Sequence, residues 1–112
     1  MSDYHDTLRK YWGFNSFRPL QEEIIRSVLA GKDTLGLMPT GGGKSLTFQV
    51  PAMTMPGLCL VVTPLIALMK DQVQALQGNG IPAAFLNSSL GFAEEQAISE
   101  HLRKRALKLL YV

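Results

Sequence analysis

The sequence has few of the features that cross-link a protein or direct it to a membrane. Its single cysteine, Cys59, has no second thiol to bond, which excludes an intramolecular disulfide and a cysteine metal cluster. The longest apolar stretch, 58–69, is broken by Thr63-Pro64, and the first residues carry no apolar signal region. Repeats and low-complexity tracts are also absent. We therefore expect a soluble, cytoplasmic protein.

The chain also has no large excess of positive over negative charge. The 112 residues include 11 Lys and Arg and 9 Asp and Glu, a net charge of +2, which is too small to indicate a nucleic-acid partner by itself. Apolar residues make up 46% and charged residues 18% of the chain, the ordinary composition of a globular protein. The length allows one small domain with a buried core.

One stretch, Met38-Pro39-Thr40-Gly41-Gly42-Gly43-Lys44-Ser45, is typical of a phosphate-binding loop. An apolar run at 34–38 predicts a strand before it, and 44–50 predicts the start of a helix. Glycine lets the backbone N–H groups of such a turn curl around phosphate oxygens, and the positive end of the helix dipole adds to the attraction.

Within this loop each residue has a predicted role. The cradle is formed by Thr40, Gly41, Gly42 and Gly43. Lys44 is predicted to reach the β and γ phosphates of a nucleotide, and the Ser45 hydroxyl to ligate Mg²⁺. The usual pattern has glycine where this chain has Met38, so the match departs from it at one position. A flexible turn that ends in Lys-Ser is the alternative interpretation.

The rest of the chain alternates between helical spacing and short apolar runs. Helices are predicted over 4–12, 19–31, 44–50, 63–78 and 88–102, and strands over 34–38, 58–62, 83–86 and 108–112. Two of these helices have a predicted buried stripe: Leu20, Ile24, Ile25, Val28 and Leu29 in 19–31, and Leu65, Leu68, Met69, Val73 and Leu76 in 63–78. This alternation predicts a parallel α/β sheet with flanking helices and right-handed crossovers, preceded by a short amino-terminal helix. Three local expectations follow. The apolar run 58–62 should be covered on both faces, Pro51 should kink or end its helix, and Gly31 should form a left-handed cap.

Three blocks, Trp12 to Gln21, Met38 to Leu46 and Val62 to Val73, together resemble the RecQ family of superfamily 2 DNA helicases. Phe85-Leu86-Asn87-Ser88 and the closing Leu109 to Val112 add to the resemblance. It implies that residues 1–112 are a truncated helicase ATP-binding domain, a partial RecA-like P-loop NTPase. The family's acid box and second motor domain would then lie outside these residues.

The resemblance also implies an adenine site. In it Phe14 stacks on the base, Arg18 supports the base, and Gln21 recognises the adenine Hoogsteen edge. A glutamine amide offers a donor and an acceptor together, which matches adenine N6 and N7. The alternative is that Phe14 and Phe17 are core aromatics and Arg18 a surface charge.

For DNA, the resemblance assigns backbone contacts to Thr63, Pro64 and Leu65, where helix N-terminal amides follow a strand. Lys70 adds charge there or is simply a solvated residue. We interpret the remaining charge clusters as solvated faces or helix-end charges, and the two histidines as having no ligand or triad partners in the sequence. These residues are Glu22-Glu23, Glu94-Glu95, Arg103-Lys104-Arg105, His5 and His101.

The resulting hypothesis is an ATP-dependent 3′-to-5′ DNA helicase that acts in recombination and repair on single-stranded and partly duplex DNA, with ATP and Mg²⁺ as cofactors. Another P-loop NTPase, such as a nucleotide kinase, and a nucleotide-binding module without activity are the alternatives. These 112 residues are expected to bind ATP but not to hydrolyse it, because no predicted strand ends in the Asp-Glu pair that phosphoryl transfer requires.

Overall fold

The computed structural model describes residues 4–36, 43–88 and 90–112. The chain divides into two compact units, Met1–Pro56 and Gly57–Val112, which are described separately. The first unit contains α1 (Tyr4–Trp12), α2 (Gln21–Leu29) and α3 (Leu46–Thr54). The second contains β1 (Cys59–Val61), α4 (Ile66–Gly78), β2 (Ala83–Phe85), α5 (Phe92–Arg103) and β3 (Leu109–Tyr111).

The first unit is built around three buried side chains, one from each helix. Leu8 of α1, Ile25 of α2 and Val50 of α3 form this core, and both α1 and α2 pack against α3. Partly buried hydrophobic residues surround it: Tyr4, Trp12, Phe17, Leu29 and Leu46. The first helix has the predicted bounds, because its apolar residues recur on one face.

Helix α2 ends as predicted and begins differently. At its end Gly31, at φ +79°, donates its N–H to Val28, and Lys32 donates to Ser27, which is the paired bonding of a Schellman cap. At its start Leu20 is itself left-handed, at φ 74°, and 47% exposed. The prediction that Leu20 belongs to the buried stripe is wrong, because this turn lies outside the helix.

Helix α3 continues through Pro51 to Thr54, so the proline does not end it. Proline lacks the N–H that would bond to the carbonyl of Thr47, which costs the helix one hydrogen bond. The ring is fully buried, and the Met55 N–H still donates to the Pro51 carbonyl at 2.9 Å. Burial of the ring therefore offsets the missing bond.

The strand predicted over 34–38 is absent from its described part. Thr34, Leu35 and Gly36 have no strand conformation, and Leu35 is 86% exposed. A strand needs a neighbour for its ladder hydrogen bonds, and the described part of the first unit contains no other strand. Residues 37 and 38 lie outside the described residues.

The second unit contains a three-stranded parallel sheet in the order β1-β3-β2. Leu110, at the middle of β3, lies opposite Leu60 on one side and Ala84 on the other. All three residues of β3 are buried, and α4 packs on β2. The predicted parallel α/β arrangement with flanking helices is thereby confirmed.

The prediction that the 58–62 strand is covered on both faces is wrong. Leu60 is 61% exposed and Val62 is 82% exposed. Within the second unit β1 is an edge strand whose only described strand partner is β3, and β3 is the strand buried on both sides. An unbroken apolar run thus indicates a strand without identifying the central one.

Helix α4 buries Met69, Val73 and Leu76, the predicted stripe except at its start. Leu65 precedes the helix and is 59% exposed, and Leu68 is 40% exposed. Helix α5 has no fully buried residue. Across the described ranges, every helix is too short or too polar to cross a membrane.

Candidate nucleotide-binding site

Gln21 joins the block that precedes α2 to the glycine-rich loop. Its side chain is 1% exposed, its Oε1 accepts from the Arg18 N–H at 2.8 Å, and its Nε2 donates to the Gly43 carbonyl at 2.9 Å. A buried amide left without such partners would be costly. Two motifs that are 22 residues apart in sequence are therefore held together by one side chain.

A side chain at Gly43 would displace the Gln21 amide from this arrangement. Its φ is +78°, and a Cβ built there would lie 2.2 Å from Gln21 Nε2. The Gly43 carbonyl also accepts the Leu46 N–H at 3.3 Å, so one oxygen receives both the side-chain amide and the first turn of α3. Glycine satisfies the left-handed backbone and the close approach together.

A pocket of about 390 Å³ opens beside this junction. Its lining residues come from the first block, α2, the loop and the start of α3: Phe14, Ser16, Arg18, Gln21, Gly43 and Leu46. Phe14 is 55% exposed and is not a core residue, whereas Phe17 packs against the core. Aromatic, cationic and amide groups thus face one cavity.

Two of these residues, Ser16 and Leu46, were not predicted to line the site. Ser16 lies inside the Trp12 to Gln21 block, and Leu46 directly follows the loop. Leu46 also packs against the Leu8 cluster, so it connects the pocket wall with the core. Their nearness in sequence to predicted site residues is the only signal that could have identified them.

Lys44 and Ser45 lie at the turn that begins α3. The Lys44 side chain is exposed. The main-chain carbonyl of Lys44 accepts the Thr47 N–H at 3.0 Å and the Thr47 hydroxyl at 2.5 Å. Ser45 is the N-cap residue, half-buried, with helical backbone angles and no capping bond from its side chain. Thr40, Gly41 and Gly42, the other predicted cradle residues, lie outside the described residues.

Helices α1 and α2 are joined by Glu22, which is not merely a solvated charge as we interpreted it. Its Oε2 accepts from the Tyr4 hydroxyl and from Arg26 Nη2, each at 2.9 Å, and lies 3.4 Å from His5 Nε2. The hydrogen bonds from Arg26 and then Tyr4 hold the pKa of Glu22 below its usual value. The contact with His5 was not predicted, whereas the i, i+4 spacing of Glu22 and Arg26 was visible in the sequence.

The predicted DNA-contact residues lie in the second unit, after the carboxyl end of β1. The Leu65 N–H donates to Thr63 Oγ1 at 3.3 Å, and the Thr63 N–H donates to the Val112 carbonyl at 3.1 Å. Pro64, Leu65 and Lys70 are exposed, and Leu65, the N-cap residue of α4, forms no side-chain capping bond. The first amides of α4 therefore lie at the end of a parallel strand and receive no capping bond from the N-cap side chain.

Two polar bonds attach α4 to the sheet. The hydroxyl of Tyr111, on the central strand, donates to Gln72 Oε1 at 2.5 Å, and Gln77 Nε2 donates to the Ala83 carbonyl at 2.9 Å. Tyr111 is 1% exposed. Hydrogen bonds are directional where apolar contacts are not, so these two bonds define the rotation of α4 about its axis.

Comparison with known proteins identifies the family of this chain. The model of the DEAD/DEAH box helicase family matches residues 18–112. The ATP-dependent DNA helicase RecQ of Pasteurella multocida is 53% identical over 107 residues, which are 96% of this chain and 17% of that protein. RecQ of Haemophilus influenzae is 52% identical over 94% of this chain and 17% of its own length. The probable ATP-dependent DNA helicase RecS of Bacillus subtilis is 46% identical over 100% of this chain and 22% of its own length.

The chain thus spans about a fifth of the length of the relatives it matches. The three blocks that carry the predicted resemblance lie within or overlap the matched residues 18–112. The chain therefore belongs to the DEAD/DEAH box helicase family, with RecQ-type helicases among its relatives and a partial RecA-like α/β fold.

Proposed function

We propose that this chain is the nucleotide-binding part of an ATP-dependent RecQ-type DNA helicase, with residues 1–112 forming part of its first motor domain. The observation that carries the proposal is the hydrogen bond from Gln21 to the Gly43 carbonyl. It brings the residue proposed to recognise adenine to the loop proposed to bind phosphates. A turn that ended in Lys-Ser by chance would not require a buried glutamine from a distant block.

In this proposal adenine binds in the pocket that Phe14 and Gln21 line, with Phe14 stacking on the base and Arg18 at the rim. An exposed aromatic ring beside a buried amide suits a planar, polar-edged base. The bonds from the Arg18 N–H and to the Gly43 carbonyl hold the Gln21 amide in the wall of this pocket.

The phosphates bind to backbone N–H groups of the loop from Thr40 to Gly43, with Lys44 supplying the cation. Lys44 suits this role because its side chain is exposed at the first turn of α3, where the helix dipole also favours anions. Charge-assisted bonds of this kind are about twice as strong as neutral ones. Lys44 should therefore contribute much of the affinity.

The donor set fits Mg²⁺ bound mainly through the nucleotide. Among the described residues no cluster of His, Cys, Asp or Glu could hold a metal ion, and Ser45 offers one hydroxyl. Mg²⁺ usually retains several waters and binds substrate phosphates with one or two protein oxygens. The ion would neutralise phosphate charge, and Ser45 would orient it at the start of α3.

DNA binding is proposed at Thr63, Pro64 and Leu65, with charge from Lys70. The uncapped amides of α4 can bind a backbone phosphate, and a backbone contact carries no sequence information. Tyr111 and Gln72 would hold α4 in place for that contact. Unwinding with 3′-to-5′ polarity in recombination and repair is the proposed activity of the whole protein, on single-stranded and partly duplex DNA.

These 112 residues are proposed to bind ATP without hydrolysing it. Phosphoryl transfer needs an acid that holds Mg²⁺, a group that positions water and a cation for the transition-state charge, besides Lys44 and Ser45. These 112 residues contain no Asp-Glu pair. Calorimetry with ATP and GTP, followed by phosphate-release assays with and without single-stranded DNA, tests both halves of the proposal. Absence of ATP binding contradicts the first half, and DNA-stimulated turnover contradicts the second.

A further inference from the structure

The second unit carries a concentrated positive patch that the proposed function does not use. Four of its Lys and Arg residues lie within one short segment at and after the end of α5, and the other, Lys70, lies on α4. The four are Arg103, Lys104, Arg105 and Lys108. Glu100 pairs with Arg103 and, at 3.5 Å, with Lys104. Glu100 therefore pairs with two of the four cations, and a net positive charge remains in the segment.

Arg105 has a backbone conformation that favours glycine. Its φ is +56°, its N–H donates to Leu102 at 3.1 Å, and the following Ala106 N–H donates to His101 at 2.9 Å. This is the Schellman end of α5, where the left-handed residue is usually glycine. The Arg105 side chain is exposed and forms no hydrogen bond or ion pair with any described residue. Arg105 thus has a strained backbone conformation, and its charged side chain has no partner among the described residues.

Arg105 lies on the rim of a cavity of about 390 Å³. Leu58, Leu102 and Leu107 form its apolar floor, and Leu58 is 43% exposed. Lys108 closes one side, where its Nζ donates to the Gly57 carbonyl at 2.9 Å. The cavity combines an apolar floor with a basic rim.

Its place in the fold separates this cavity from the proposed DNA contact. Leu58 directly precedes β1 and Lys108 directly precedes β3, so the cavity lies at the amino ends of parallel strands. Thr63 to Leu65 follow the carboxyl end of β1, the edge where ligands bind in sheets of this kind. An occupant of the cavity would leave the DNA-contact residues free.

We propose that this cavity binds an acidic peptide segment of a partner protein, with one bulky apolar side chain on the leucine floor and carboxylates on Arg105 and its basic neighbours. Arginine pairs with carboxylates in a bidentate geometry, and an aromatic residue in a pocket is a common anchor of interfaces. A DNA backbone would use the basic rim but not the apolar floor. The combination of the two favours a peptide.

The test uses fluorescence anisotropy with a labelled eight-residue peptide made of Asp and Glu and a single Phe. A second peptide has Ser in place of Phe and the same charge, and a dT oligonucleotide serves as competitor. Burying one Phe side chain contributes about 1.5–3 kcal/mol, so the Phe peptide should bind at least roughly tenfold more tightly than the Ser peptide. Binding of both should weaken as salt rises.

The decisive variant is Arg105→Gly, which removes the charge and supplies the residue that this backbone prefers. Its thermal midpoint should stay unchanged or rise, while affinity for the Phe peptide falls at least roughly tenfold. Lys32→Gln is the matched control, because it removes one exposed charge from the first unit. It should change neither property.

Three results would overturn the proposal. Full peptide binding by Arg105→Gly would show that the strained arginine is not used. Equal affinity for the Phe and Ser peptides would show that only non-specific charge attracts them. Displacement of the Phe peptide by the oligonucleotide at equal concentration would identify the patch as a nucleic-acid surface.

Discussion

Gln21 and Gly43 are joined by a 2.9 Å hydrogen bond from a side-chain amide to a main-chain carbonyl. The amide is held at its other end by the Arg18 N–H. Any change at either residue therefore affects both the proposed base pocket and the proposed phosphate loop. This dependence makes the bond a sensitive point at which to test the function.

Gly43→Ala should destabilise the chain and abolish nucleotide binding. The left-handed backbone alone costs about 1–2 kcal/mol for a residue with a Cβ. The new Cβ would also lie 2.2 Å from Gln21 Nε2 and displace the amide. Thermal unfolding and ATP calorimetry measure the two effects.

Gly31→Ala is the matched control, because Gly31 has nearly the same φ, +79°, and no described atom lies within 4 Å of a Cβ added there. It should lose the same roughly 1–2 kcal/mol of stability from the left-handed backbone and retain full ATP affinity. If the two variants lost ATP affinity equally, backbone strain rather than the contact with Gln21 would explain the result.

Gln21→Ala should remove base discrimination, because a site built to hydrogen-bond a group rejects analogues that lack it. The preference for ATP over GTP should shrink. Phe14→Ala should weaken both purine nucleotides alike, since stacking does not distinguish them, and it disturbs little of the fold because Phe14 is 55% exposed. An unchanged ATP-to-GTP ratio in Gln21→Ala would mean that Gln21 serves only the fold.

Local signals in the sequence predicted local structure well. Glycine at position 31 indicated a left-handed cap because few other residues adopt that backbone, and the apolar run 108–112 indicated a strand. The sequence did not show that β3, rather than β1, is the central strand, because exposure of Leu60 depends on which strands lie beside it. Strand order is a tertiary property.

In the candidate site, too, the sequence predicted local features but not the contacts between distant residues. The loop pattern predicted that Lys44 and Ser45 lie at the start of a helix, which is where the structure has them. No spacing rule indicated that Gln21 Nε2 would donate to the Gly43 carbonyl, or that Tyr4 would donate to the carboxylate of the Glu22–Arg26 pair. Such bonds depend on the packing of α1 and α2 against α3, which residue spacing alone does not describe.

The Glu22 carboxylate should make stability depend on acid pH. Its pKa is lowered in the folded chain by Arg26 and Tyr4, so its contribution is present above the usual value of 4.5 and is lost as pH falls through the lower folded value. In Glu22→Gln the thermal midpoint should fall less between pH 5 and pH 3. The effect should be small because the pair is partly exposed.

Glu23→Gln is the control, since Glu23 lies next in sequence on the same helix and is exposed. Its acid profile should match that of the parent chain. Identical profiles for the parent and Glu22→Gln would show that the bonds to Tyr4 and Arg26 do not persist in solution.

Binding of single-stranded DNA should be weak, independent of sequence and sensitive to salt, because the proposed contacts are to the backbone. Lys70→Gln should reduce the slope of log affinity against log salt by about 0.7 if Lys70 contacts one phosphate. Fluorescence anisotropy over a salt series measures this slope, with Lys32→Gln as the control. A marked preference among oligonucleotides of different sequence would contradict a backbone-only contact.

The central claim, that residues 40–45 bind the phosphates of ATP, is tested most directly by calorimetry of ATP binding to the parent chain and to Lys44→Ala. Lys44 is exposed, so its removal should leave the thermal midpoint unchanged. Loss of a charged hydrogen bond costs about 1.5–3 kcal/mol, or roughly 10- to 150-fold in affinity. The account predicts a loss of that size or greater, and ATP binding by Lys44→Ala as tight as that of the parent would contradict it.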